Sequence, residues 1–190
     1  MDPRSDTELI HSYRQGKREA LNILIERYLS MIYRFLYRMI GDARAAEDWV
    51  QETFVKVWRS LTKFDSSKSF KTWIFSIAKN TAIDYLRKKK ELPFSQLESE
   101  EMPDMAETIM DLQPLPNEIL AHKDLGHALE KALSKLPAKS RSIVLMHETE
   151  DMTFQDIADT MHEPMNTIKS RYRRAMFFMR DILKDILHQK

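Results

Sequence analysis

The chain is expected to be all-α, two small helical domains joined by a flexible acidic linker, and three observations carry that expectation. Apolar residues recur at spacings of three and four almost everywhere, with no long alternating segment that would suggest a sheet. Glycine is limited to three of 190 residues. From Glu91 to Glu118 the chain has acids and four prolines but no lysine or arginine, which is the composition of a linker. The domains are accordingly drawn as 1–90 and 117–190, with 91–116 between them.

Ser5 followed by Glu8 has the form of a capping box and predicts a first helix from about Asp6 to Gln15, ending near Gly16. A second helix, from about Lys17 to Met39, is predicted by Leu21, Leu24, Ile25, Tyr28, Ile32, Phe35 and Leu36, with Gly41 as its stop. Asp42 is placed to cap a third, whose inward stripe is Ala46, Val50, Phe54 and Val57. Glu47, Asp48, Gln51 and Glu52 cluster near its start. Acids there are ordinary partners of the helix dipole, and they also suit a docking surface for a basic partner.

A polar loop, Thr62 to Ser69, leads into FKTWIFSIAKNTAIDYLRKKK, read as a helix from Phe70 to Lys90. Only Asp84 opposes Lys71, Lys79, Arg87, Lys88, Lys89 and Lys90 in it. At 100° per residue Phe70, Trp73, Ile74, Ile77 and Ala78 share a face suited to burial. Ser76, Lys79, Ile83, Arg87 and Lys90 share the opposite face, with Asn80 on its flank. That face is cationic yet partly apolar, which fits single-stranded or opened nucleic acid better than a simple anion. A merely solvated amphipathic helix is the competing reading.

Beyond the linker, Ile119 to Leu136 and Ala138 to His147 read as helices. Thr153 with Asp156 forms a second capping box and opens a short helix, Phe154 to Met161. His162, Glu163 and Pro164 make a turn, and a longer basic helix runs from about Met165 to Leu187. This is the helix-turn-helix pattern. Ile168, Tyr172, Ala175, Met179 and Ile182 form the stripe to be buried in the second helix. Asn166, Ser170, Arg173, Arg174 and Phe177 face the other way, flanked by Lys169 and Arg171, and no acid lies between Pro164 and Arg180. Central side chains of such a face reach base edges and its flanking cations hold phosphates.

Composition narrows the function classes. Hydrophobic residues make up 43% and charged residues 31%, as in a folded protein rather than a disordered one. The formal net charge is only +1, so nucleic-acid binding must come from charge segregated along the chain. The absence of cysteine excludes disulfides, thiol nucleophiles and cysteine-ligated zinc. The start, MDPRSDTELIHSYRQGK, lacks a signal-peptide core, and no apolar run approaches membrane-spanning length, so a cytoplasmic protein is expected. His147 and Glu148 lack the second histidine of a helical zinc motif, and His11, His122, His127, His162 and His188 stand apart. Glycine-rich phosphate loops and nucleophile elbows are missing. The expectation is a binding protein and not an enzyme, with no cofactor, metal or small-molecule substrate.

AEDWVQETFVKVWRSLTKF, FKTWIFSIAKNTAIDYLRKKK and TFQDIADTMHEPMNTIKSRYRRAM, in that order and with the acidic linker before the third, resemble the extracytoplasmic-function group of bacterial sigma factors. The resemblance covers nearly the whole chain. It implies an alternative sigma factor that binds core RNA polymerase, reads the minus-thirty-five element as duplex and melts the minus-ten element. The two domains then correspond to sigma regions 2 and 4. By the same resemblance Glu47, Asp48, Gln51 and Glu52 dock on the polymerase clamp, and further contact to the flap region is implied. Phe64, Asp65, Lys68, Ser69 and Phe70 surround a base flipped from the non-template strand, with Asn80 offering its amide. Ser76, Lys79, Ile83, Arg87 and Lys90 complete the minus-ten surface. Asn166, Lys169, Ser170, Arg171, Arg173, Arg174 and Phe177 form the minus-thirty-five surface. A membrane-linked anti-sigma factor is the implied regulator. The linker reads as a solubilising spacer or, in the family, as a segment threading polymerase channels. Many relatives have glycine in or after the helix-turn-helix turn, where this chain has His162 and Glu163. An autonomous helix-turn-helix regulator and a nucleic-acid-processing enzyme are the alternatives.

Overall fold

The computed structural model of the protein describes residues 2–90 and 123–188. Regular structure among these residues is entirely helical: α1 (Asp6–Arg14), α2 (Glu19–Ile40), α3 (Ala43–Ser60), a 3-10 turn (Leu61–Lys63), α4 (Phe70–Lys90), α5 (Lys123–Lys135), α6 (Ala138–Glu148), α7 (Phe154–Met161) and α8 (Met165–His188). The linker 91–116 and the expected helix start at Ile119 lie outside the described residues, as does the side chain of Lys90.

Local chemistry sets most helix ends. Ser5 Oγ accepts from Glu8 N while Ser5 N donates to Glu8 Oε2 at 2.7 Å, closing the capping box. Asp42 accepts from Ala45 N at 3.0 Å and caps α3. Thr153 and Asp156 form the corresponding box at α7. Gly41, at φ 75°, ends α2 in the left-handed conformation that costs glycine little. α2 begins two residues later than its apolar spacing predicts, because Lys17 N still donates back to Ser12 O in the turn that closes α1.

α2 is the central strut of the N-terminal half, with α1, α3 and α4 packed round it. Leu24, Ile32, Phe35 and Leu36 from α2 meet Ile74 and Phe75 from α4, all fully buried. The Phe35 and Phe75 rings meet edge to face at 5.3 Å, and Tyr28 meets Phe70 likewise at 5.2 Å. Asp6 accepts from both Tyr28 and Arg27, which ties α1 to α2. In the C-terminal half α5, α6 and α7 each pack on α8, whose Ile168, Ala175, Met179 and Ile182 are buried as their spacing predicts, while Tyr172, expected in the same row, is half-buried and donates its hydroxyl to Glu148.

The two halves touch. α6 and α7 pack against α4, and α5 and α6 reach α2. The cross-contacts include several polar ones: Lys71 Nζ donates to the Glu150 carbonyl, Thr160 Oγ1 to Thr72 O at 3.3 Å, and Arg141 Nη1 to Met39 O at 2.6 Å. Arg34 lies 3.5 Å from the buried Glu150 carboxylate. α4 is therefore covered on two sides, and Phe75, Lys79, Thr81 and Ala82 are buried besides the expected Phe70, Ile74 and Ala78. Trp73 and Ile77, expected in the core, are only half-buried.

Candidate nucleic-acid interface

The loop before α4 is built on a ring cluster. Phe64 and Phe70 are 6% and 4% exposed, and with Trp73 they form three mutual ring contacts of 4.8 to 5.8 Å. Sequence reasoning set both phenylalanines beside a captured base. They are the floor under the loop instead, because the ring surface that a base would stack on is already covered by protein. The exposed groups are Asp65, Ser67, Lys68 and Ser69, with Ser66 half-exposed. Asp65 Oδ1 accepts from Ser67 N at 3.0 Å and Ser67 Oγ at 2.8 Å, and these bonds hold its carboxyl below the usual range. Ser69 Oγ accepts from Thr72 N at 3.2 Å and starts α4. Asn80 is exposed.

The remainder of the expected cationic face divides. Ser76, Ile83 and Arg87 are half-buried, and Arg87 pairs with Asp84 at 3.3 Å. Lys79 is 6% exposed, and its ammonium donates to Thr160 O on α7 at 3.3 Å. Loss of water and the neighbouring Lys139 push its pKa down. The expectation of an outward Lys79 is thus corrected in this arrangement. Helical periodicity placed it opposite the buried face, but α7 covers that side too.

α3 presents its inner stripe as Ala46, Val50, Thr53 and Val57, with Thr53 in place of Phe54 because its hydroxyl is satisfied by Trp49 O at 2.7 Å. Outward it exposes Glu47, Asp48 and Gln51, with Glu52 half-exposed and 3.7 Å from Lys56. The same outward row continues at spacings of three and four into Val55 and Trp58, 37% and 54% exposed. Sequence reasoning stopped at the acids and missed these two, although the 48, 51, 55, 58 spacing carries them onto one helix edge.

In the C-terminal half, His162 ends α7 at φ 55° and turns the chain without glycine. Glu163 then holds Arg171 at 2.6 Å and Lys139 at 3.8 Å, locking the turn to α6 and α8. Arg171 is therefore a structural partner in this fold rather than a free flanking cation. The pairing acid, Glu163, stands one residue before the acid-free stretch that begins at Pro164. Phe154 packs between His147 at 4.3 Å and Tyr172 at 5.2 Å, fixing the angle between α7 and α8. Asn166, Lys169, Ser170 and Arg173 are exposed on α8, with Arg174 and Phe177 half-buried and Arg180 5.0 Å from the Phe177 ring. Ser170 Oγ donates back to Thr167 O at 3.0 Å. This is a cationic and amide-bearing helix face, presented at the outside of a helix-turn-helix.

Among the described residues no group of three His, Cys, Asp or Glu is placed to hold a metal ion, and no helix is long and apolar enough to cross a membrane.

Comparison with known proteins gives a consistent family. Residues 24–91 match the family described as Sigma-70 region 2, and residues 126–177 match Sigma-70, region 4. The ECF RNA polymerase sigma factor SigW of Bacillus subtilis (strain 168) is 29% identical over 181 residues, 93% of this chain and 96% of the relative. The ECF RNA polymerase sigma-E factor of Haemophilus influenzae is 30% identical over 174 residues, 90% of this chain and 91% of the relative. Among solved structures, CnrH in complex with the cytosolic domain of CnrY superposes with a TM-score of 0.69 at 20% identity, covering 95% of this chain and 97% of that one. The sigma factor RpoE in complex with the anti-sigma factor NepR from Bartonella quintana gives 0.63 at 22% identity, covering 86% and 96%.

Proposed function

The chain belongs to the extracytoplasmic-function group of RNA polymerase sigma factors, alternative sigma factors that direct transcription initiation, and we propose that three of its surfaces divide that work. The outer edge of α3, from Glu47 to Trp58, docks on core polymerase. Its acids give charge complementarity to a basic partner and its exposed Trp58 gives an apolar anchor. The face of α8 bearing Asn166, Lys169, Ser170 and Arg173 reads the minus-thirty-five element as duplex, with Arg174 and Phe177 at its margin. The loop from Asp65 to Ser69, with Asn80, takes a base extracted from the opened minus-ten strand.

Extraction of a base loses stacking energy of a few kcal/mol, and contacts to the extruded base return it. No nucleotide hydrolysis is needed, because preferential binding of the opened form shifts the melting equilibrium. Ser76, Ile83 and Arg87 line the path of the strand. Lys79, buried under α7, is not among them. The observation that carries this reading is the exposed, acid-free row on α8 in one chain with the acidic and apolar row on α3: the first suits DNA and the second suits a protein.

The place of work is the cytoplasm, where core polymerase and promoter DNA are. The regulator is an anti-sigma factor, membrane-linked as in the family's usual arrangement. The test is reconstitution: the purified chain with core polymerase is expected to give promoter-dependent run-off transcripts. Failure to bind core overturns the reading.

A further inference from the structure

α1 precedes the residues matched as region 2, and its last turn reaches the loop that those residues carry. The Arg14 guanidinium donates to Leu61 O at 3.3 Å, to Phe64 O, and to Ser66 Oγ at 2.9 Å. We propose that Arg14 is a positioning residue for base capture, holding the loop after α3 in its receiving shape before the strand arrives. The inference rests on the reading of that loop as the base pocket.

The loop needs such a group. Its tip is organised internally by the Asp65 to Ser67 bonds and by Lys68 N donating to Asp65 O at 3.0 Å. Those bonds shape the tip but do not fix where it stands relative to α3 and α4. The ring cluster of Phe64, Phe70 and Trp73 fixes it from below. Arg14 fixes it from the side. Leu61 O takes Phe64 N at 3.2 Å within the 3-10 turn and has a second lone pair for Arg14, while Phe64 O lies just past that turn, where the chain leaves helical geometry and a carbonyl can take an outside donor. A planar fork with five N–H groups serves three acceptors from one fixed plane, which a lysine ammonium does not. A loop already ordered loses less entropy when a base enters, so the effect of Arg14 falls on strand affinity.

The test uses the full chain bound to core polymerase, with a promoter selected by wild type from randomised DNA and supplied already unpaired across the minus-ten element. Each non-template nucleotide of the bubble is replaced in turn by an abasic site. Wild type is expected to lose affinity sharply at one position, the captured base. Arg14→Ala is expected to bind the intact bubble roughly tenfold more weakly, and the template abasic at that position as well as wild type does. Arg14→Lys is expected to recover part of the loss, and Ser66→Ala, which removes one acceptor, to show a smaller base-dependent loss. An Arg14→Ala penalty equal on intact and abasic templates, or no penalty, overturns the positioning role while leaving the pocket standing. If wild type shows no abasic-sensitive position, the pocket reading itself falls. If Arg14→Ala does not fold, Arg14→Lys and Ser66→Ala decide, and the absence of a base-dependent loss in both overturns the inference.

Discussion

Lys79 of α4 donates to the main-chain carbonyl of Thr160 on α7, 3.3 Å away and buried, and Thr160 Oγ1 returns a bond to Thr72 O, so one threonine of the short helix of the helix-turn-helix is tied twice to α4. The contact sets a carbonyl acceptor against the desolvation of an ammonium. A single hydrogen bond to a charged group contributes about 1.5–3 kcal/mol, and the penalty for removing a charge from water is several kcal/mol before relaxation. Lys79→Met keeps the packed stem and removes the charge. Its urea midpoint is expected to equal or exceed that of wild type. A loss of more than about 1 kcal/mol shows that the carbonyl contact outweighs desolvation.

Glu150 gives the same seam a dependence on pH. Burial pushes its carboxyl pKa up, against the opposing pull of Arg34 and, more weakly, of Thr149, Lys71 and Arg38. A carboxyl whose folded pKa is raised holds its proton better in the native state. Its contribution is fully present below the unfolded value near 4.5 and is lost as pH rises through the raised one. Wild type is therefore expected to become less stable as pH rises through that window. Glu150→Gln removes this component, and urea titrations across the window at fixed ionic strength will show a flatter profile. An unchanged slope means that other groups carry it.

Docking and folding are expected to separate on α3. Asp48 is exposed, and charge reversal by Asp48→Arg is expected to weaken core binding about tenfold or more while moving stability by less than about 0.5 kcal/mol. Trp58→Ala is expected to lose about 1–2 kcal/mol of core affinity, as exposed aromatic anchors do. Anisotropy titration of labelled chain with core polymerase reads both. Unchanged affinity in both variants removes α3 from the interface.

The arginines of α8 fall into two kinds. Arg173→Ala is expected to weaken minus-thirty-five duplex binding by about 1–3 kcal/mol, or to lower the salt slope by about one if its contact is to phosphate. Arg174→Ala, half-buried beside it, is expected to weaken duplex binding while core binding stays intact. Arg171→Ala breaks a partly buried pair with Glu163 and is expected to act mainly on stability, by about 0.5–1 kcal/mol. Salt-dependent mobility shifts with thermal melts distinguish them. A larger duplex effect for Arg171→Ala than for Arg173→Ala reverses the assignment.

What was legible in the sequence was what local chemistry decides. Ser5 with Glu8 and Thr153 with Asp156 name their own helix starts, since donor and acceptor lie three residues apart. Four of the five residues that spacing set in the α8 row are buried, while Tyr172 is half-buried with its hydroxyl on Glu148. Lys79 misled because α4 has neighbours on two sides, and the second is supplied by Thr160, 81 residues away. Arg14 carried no sequence signal, since its acceptors are carbonyls 47 and 50 residues distant, and every residue has a carbonyl. Trp58 was the readable omission: its place in the row with Asp48 and Gln51 follows from helical geometry, but the row was followed only as far as its acids.

The hydrogen bond from Lys79 to Thr160 also has a schedule. Its donor leaves the ribosome well before its acceptor, and at 5–20 residues per second the 81 residues between them take roughly 4 to 16 s to make. All of α1 to α4 is synthesised before α7 begins, so the N-terminal half has time to fold while Lys79 still lacks its carbonyl and faces water. The newborn chain thus passes through a brief interval in which its α4 surface is more open to polyanions than in the finished protein. Translation speed through residues 91–160 sets how long that interval lasts.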